Sequence, residues 1–137
     1  MTDAYGVSTL LDPNVILSMT MSPSTEKQKA AMQKIPYLAG VRPLMYASIA
    51  THPDITFATN KISQFNSNPG LAHWTTLQHV LHYLKQTCDY SLTLGGTQKA
   101  ILVGYTDSDF ASCTNTRCYM SDYLFTLGSS PISQSSK

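Results

Sequence analysis

The sequence predicts an α+β chain: a helical module followed by a β-meander. Three observations carry this. Apolar residues recur at three- and four-residue spacing from residue 36 to residue 87. The period changes to alternation after Thr87. Turn formers cluster at residues 66–70 and at Gly95-Gly96, so the runs between them are short.

Each element follows from local chemistry. Residues 1–34 lack a pattern, Pro13 and Pro23 interrupt them, and Ser and Thr are frequent. They read as an extended, loosely ordered linker, with a short helix over 26–33 capped by Ser24. Residues 35–88 read as the helical module. Its first helix, over 36–50, opens on Pro36 and places Val41, Leu44, Met45 and Ile49 near one face. Pro43 lies inside that span, where proline costs about 3 kcal/mol. This moves the expected start to Pro43 and puts Gly40 in a loop. His52-Pro53 closes the helix, and Pro53 opens the next one with Asp54 near its positive end. Ile55, Ala58, Ile62 and Phe65 then repeat at helical spacing. Residues 71–87 form the clearest helix, with Trp74, Leu77, Leu81 and Leu84 on one stripe and Val80 beside it. Trp74 reads as a packing anchor of the core. His79 and His82 lie off the stripe and read as solvent-facing, not as metal ligands.

Residues 89–137 read as a sheet. Strands are expected at 90–94, 101–110, 119–127 and 131–136, with Asn115 in a turn. In the second of these, alternation puts Val103, Tyr105, Asp107 and Asp109 on one face and Leu102, Gly104 and Thr106 on the other. A carboxylate inside a strand is unfavourable unless something uses it. One use is to hold Mg²⁺, which takes hard oxygen ligands on a rigid element. The other reading is an acidic strand end facing water.

Composition bounds the function. A length of 137 residues suits one domain or parts of two, and 42% hydrophobic residues is not a disordered composition. Nine Lys and Arg against eight Asp and Glu give a net charge of +1, without the basic excess of a dedicated nucleic-acid binder. Three cysteines (Cys88, Cys113 and Cys118), an odd number with no signal peptide, point to a reducing, intracellular compartment. Cys113 and Cys118 have no second ligand pair at zinc spacing, so no metal is expected there. No apolar run reaches the roughly 18–20 residues of a membrane span. The N-terminus has no basic region followed by an apolar core.

The stretch Gly104-Tyr105-Thr106-Asp107-Ser108-Asp109-Phe110-Ala111 resembles the start of the RNase H domain in copia-type retrotransposon polyproteins, usually Gly-Tyr-Ser-Asp-Ala-Asp-Trp-Ala. Leu11-Asp12-Pro13-Asn14-Val15 with Leu17-Ser18 resembles the segment after the reverse transcriptase palm. Leu44-Met45-Tyr46, Pro53-Asp54-Ile55 and Phe57-Ala58 resemble the next two helices, and Ser67-Asn68-Pro69, His73-Trp74 and Tyr83-Leu84-Lys85 the one after. Ser121, Tyr123, Phe125, Leu127-Gly128 and Ile132-Ser133 resemble the second and third RNase H strands. The resemblance runs from Leu11 to Lys137. It implies an incomplete RNase H-like sheet, mixed in strand direction, whose covering helices are missing, so that one face is left bare unless the upstream helices shield it.

The same resemblance implies chemistry. Asp107 matches the first catalytic aspartate of the family, whose cofactor is Mg²⁺ and whose partner is an RNA–DNA hybrid. Asp107 and Asp109 are the positions expected to hold Mg²⁺, weakly. Asp107 is expected on a central strand, exposed, with no second catalytic acid facing it, because its partner acids lie beyond residue 137. No Tyr-x-Asp-Asp occurs, so the polymerase carboxylates are absent as well. Arg42-Pro43 replaces Gly-Ser, Cys118-Tyr119-Met120 replaces Arg-Ser-Thr, Asp122 replaces Gly, and Gln134-Ser135 replaces Trp-Lys. Gln78, His79 and His82 stand where the family is basic. The expectation is a remnant of a Pol polyprotein, without catalysis of its own or any bound cofactor, and with weak nucleic-acid contact at most. Two alternatives stay open. One is an interaction module that pairs through its bare sheet with an intact polymerase or with itself. The other is a nuclease completed in trans, with Asp107, Asp109 and Asp122 sharing a metal.

Overall fold

The computed structural model describes residues 6–91, 93–94, 99–109, 120–128 and 130–136. Four helices precede three strands among these: α1 (Glu26–Gln33), α2 (Tyr37–Ala50), α3 (Thr56–Ser63), α4 (Leu71–Gln86), β1 (Leu102–Asp109), β2 (Met120–Leu127) and β3 (Ser130–Ser136). The chain is therefore α+β, as the change of period predicts. Asn115, Cys113 and Cys118 lie outside the described residues.

The cap of α1 is Thr25, not Ser24. Its hydroxyl accepts from the Gln28 N–H at 3.4 Å, and the Gln28 side chain accepts from the Thr25 N–H at 3.3 Å. This reciprocal pair satisfies two donors that a helix start leaves open. Ser24 contributes only its backbone N–H, also to Gln28.

The helix α2 runs straight through Pro43, contrary to the expected start there. Proline removes the bond to the Ala39 carbonyl, but both residues are exposed, so water can take that carbonyl. The buried face holds the helix in place: Tyr37, Val41, Leu44 and Ser48 follow a four-three-four spacing. Met45 and Ile49, expected on that face, are exposed instead. Gly40 sits inside α2. A β-carbon there would come within 2.8 Å of Leu77 Cδ2, so glycine lets α4 pack close.

Pro53 opens a short 3₁₀ turn (Pro53–Ile55) that leads into α3. Ile55, Ala58, Ile62 and Phe65 are all buried, as their spacing predicts. The core joins Tyr37, Val41 and Leu44 to Ile55, Ala58, Ile62, Leu77 and Val80. The Tyr37 hydroxyl donates to the Ile62 carbonyl at 2.7 Å, and burial pushes its pKa up to about 12. The N-terminal stretch is more than a loose connection, because Leu10, Leu11 and Leu17 pack against this core. Trp74 also packs against it but is only partly buried, so it is not the anchor. The fully buried side chain beside it is His73.

No strand forms among the described residues of 90–94. The Tyr90 N–H closes a turn onto the Thr87 carbonyl, and the stretch meets β3 through a side chain, with the Ser130 hydroxyl donating to the Thr93 carbonyl at 2.7 Å. The sheet has the order β1-β2-β3, and both pairings are antiparallel. The mixed direction implied by the resemblance does not arise among the described strands. Side-chain hydrogen bonds tie β3 to the helices. Gln134 Nε2 donates to the Ser48 carbonyl at 2.6 Å, and Asn60 Nδ2 donates to the Ser136 carbonyl. The sheet side chains stay outside the core cluster, and residues 102–108 of β1 are exposed.

This division sets a mutational contrast. Leu77→Ala removes a fully buried side chain and is expected to cost about 2–5 kcal/mol. Trp74→Ala is expected to cost about 1–2 kcal/mol, because the ring keeps contact with water. Urea denaturation of both variants checks the order.

Candidate functional site: a cross-strand acid pair

Asp107 lies opposite Asp122 in the β1–β2 register. Directly opposed residues in an antiparallel pair point to the same face, with β-carbons about 4.5–5.5 Å apart. Asp107 is exposed, while Asp122 is half-buried, and its Oδ1 is buried without a hydrogen-bond partner. The two carboxylates therefore repel each other with no cation paired to either among the described residues. This corrects one expectation: Asp107 is on an edge strand of the described sheet, not a central one. The acid that faces it, Asp122, is not one that the family resemblance marks as catalytic. Asp109 occupies the last position of β1, opposite Met120.

A cleft of 330 Å³ opens beside Asp122, between the sheet and the start of α3. Pro53, Asp54 and Phe57 line one side, and Leu124 and Gln134 line the other. Asp54 is engaged there, accepting from the Tyr83 hydroxyl at 3.0 Å. Burial and this bond together raise the Tyr83 pKa. No three metal-ligating side chains converge among the described residues. The acid pair thus supplies at most two carboxylates, which does not fit a two-metal centre.

The histidines divide by role. His79 is half-buried, and its Nε2 contacts the Thr9 carbonyl at 2.8 Å, so it fastens the N-terminal stretch to α4. His82 is half-buried too, not freely solvent-facing. His73 is the polar group that the sequence reading passed over. Its ring stacks on Phe65, with centroids 3.9 Å apart. Its Nδ1 accepts from the Gly70 N–H at 2.8 Å, and its Nε2 lies 3.3 Å from the Ser18 carbonyl. An Nδ1 that accepts requires the Nε2–H tautomer, so Nε2 donates to Ser18. Burial lowers the His73 pKa, and the Ser18 contact opposes that shift. A signal was present in the sequence: His73 is the third helical residue after Gly70, the position from which a side chain reaches back to the cap.

Over its whole length of 137 residues, the chain is 42% identical to a retrovirus-related Pol polyprotein from transposon TNT 1-94 of Nicotiana tabacum. Over 87 residues, 64% of the chain, it is 38% identical to the retrovirus-related Pol polyprotein from transposon RE2 of Arabidopsis thaliana. The chain belongs to the copia-type Pol polyproteins. It spans 10% of the TNT 1-94 polyprotein and 6% of the RE2 polyprotein, so it corresponds to a small part of either. A secreted RxLR effector protein 161 of Plasmopara viticola is also similar, 41% identical over 106 residues that make up 77% of this chain and 75% of that protein. No protein-family model and no solved structure matches the chain.

Two measurements follow for this Pol-derived chain. A histidine buried neutral resists protonation in the fold, so the unfolded chain binds its proton first as pH falls. The stability linked to His73 is full above its ordinary value of 6.5 and is lost as pH falls below it. Urea midpoints between about pH 8 and 5 are expected to drop on the acid side. His73→Asn is expected to be weaker throughout and to show a flatter pH slope. Separately, Asp107→Asn relieves the cross-strand repulsion and is expected to stabilise by about 0.2–1 kcal/mol, read by thermal melting.

Proposed function

We propose that this chain derives from the part of a copia-type Pol polyprotein that joins reverse transcriptase to RNase H. In this reading residues 1–34 lead out of the palm, residues 35–88 form the connecting helical module, and residues 89–137 open an RNase H-type sheet. As it stands, the chain makes no DNA and cleaves no RNA. The observation that carries the proposal is Asp107 on β1, within a Gly-Tyr-Thr-Asp-Ser-Asp run and opposed only by Asp122.

The chemistry supports inactivity. Hybrid cleavage by two metals needs several carboxylates converging from different elements. Mg²⁺ keeps most of its waters and is rarely captured by one or two side chains. Asp107 and Asp122 sit on neighbouring strands, with Asp107 open to bulk water. Such a pair can attract a hydrated cation, but it cannot fix two metals around a phosphate. Contact with an RNA–DNA hybrid is weak in this reading, because affinity follows the number of phosphates neutralised and the net charge is only +1.

Hybrid cleavage measured over a Mg²⁺ titration tests this, with the parent and Asp107→Asn side by side. No cleavage by either is the expected result. Cleavage by the parent that disappears in the variant would show a site completed in trans and would overturn the proposal. Primer extension on an RNA template is expected to yield no product, and template-dependent product from the pure chain would count against the reading equally.

A further inference from the structure

The two outer edges of the described sheet are protected very differently. β3 carries Pro131, faces a register shift at Phe125/Thr126 of β2, and is bonded to α2 and α3. These features deter a further strand. β1 has none of them, and among the described residues no strand pairs with its outer edge. Its register with β2 is regular from Leu102 to Asp109, it contains neither proline nor lysine, and Leu102 and Tyr105 are 62% and 59% exposed. An unprotected edge offers its backbone N–H and C=O groups to a strand of another chain.

Side-chain charge selects among the strands that could come. Asp107 and Asp122 share one face, neither is paired with a cation among the described residues, and Asp122 Oδ1 has no hydrogen-bond partner. A second copy presenting its own β1 would bring more acid to the same edge. A strand with Lys or Arg would bring the missing charge to a cross-strand position beside Asp107. Val103 and Tyr105 lie on the same face as Asp107, and their exposed surfaces can cover the alkyl stem of such a side chain.

We propose that β1 is an acceptor edge for an extended basic segment of another protein, added as a fourth strand with a cation beside Asp107. The pairing uses backbone bonds for affinity and the acid pair for selection. It goes beyond the inactivity argued above and does not depend on it, since no nucleic acid or metal takes part.

The test uses the full chain and three short fluorescent peptides. One alternates valine with lysine, one alternates valine with glutamate, and one is the lysine peptide with a central proline. Anisotropy at low salt is expected to show the lysine peptide binding about tenfold tighter than the glutamate peptide, with the proline peptide much weaker. Asp107→Lys is expected to reverse the charge preference, and Asp107→Asn to weaken it with the fold intact by circular dichroism. Equal binding of the lysine and proline peptides would mean general polycation attraction and would overturn the proposal. Equal binding of the lysine and glutamate peptides would overturn the charge selection. Failure of all three peptides, or dimers of the pure chain that Tyr105→Pro abolishes, would also overturn it, the latter by giving the edge to a second copy.

Discussion

The hydrogen bond from Gln134 Nε2 to the Ser48 carbonyl, at 2.6 Å, decides how the two halves of this chain relate. Ser48 sits on the buried face of α2, so the bond reaches the helical core. With the Asn60 contact to Ser136, it fastens β3 to the helices. β1 is joined to β3 through β2 by the strand ladder. Exposure rises across the sheet: β3 begins and ends on buried residues, β2 alternates between exposed and half-buried over residues 121–127, and β1 is exposed over residues 102–108. Asp107 is open to water because it lies two strands away from the bonds that hold β3 to the helices.

The helical half is self-sufficient by comparison. Its core closes with leucines from the N-terminal stretch and needs nothing from the sheet. His73 organises one end of that core. It caps α4 through Gly70, stacks on Phe65 after α3, and holds the N-terminal stretch at Ser18. A neutral ring does all of this at once because its two nitrogens have opposite roles. Burial favours that neutral form, so the packing and the protonation state support each other.

How much of this could be read from the sequence differs by element. The run Ile55, Ala58, Ile62, Phe65 was legible because a clean helical period with no competing signal maps onto one buried face. α2 was misread because Pro43 is locally unfavourable, yet the packing of Tyr37, Val41, Leu44 and Ser48 outweighs one lost bond on the exposed side. Apolarity all round α2 also hid its inner face, which proved to include Tyr37 and Ser48, while Met45 and Ile49 turned outward. The strands of the meander were legible to within a residue or two, because alternation and turn residues agree there. The order β1-β2-β3 was legible too, as a meander of consecutive strands, but the register was not, since alternation assigns faces without naming partners. Asp122 could not be matched to Asp107 before the register was known.

That register explains why the acid pair is at once conspicuous and poor as a metal site. Asp107 alone matches the resemblance to an RNase H start, while Asp122 replaces a residue that is usually glycine in the family. A glycine opposite Asp107 would add no charge to its face. The aspartate adds a like charge at cross-strand distance, and its buried Oδ1 gains no hydrogen bond in return. A pair of this kind lowers the stability of the β1–β2 ladder for as long as it stays unneutralised. The strand least held by the helices therefore also carries the least compensated charge. Any group that brings a cation to this face, whether an ion or a side chain on an added strand, stabilises the ladder by binding to it.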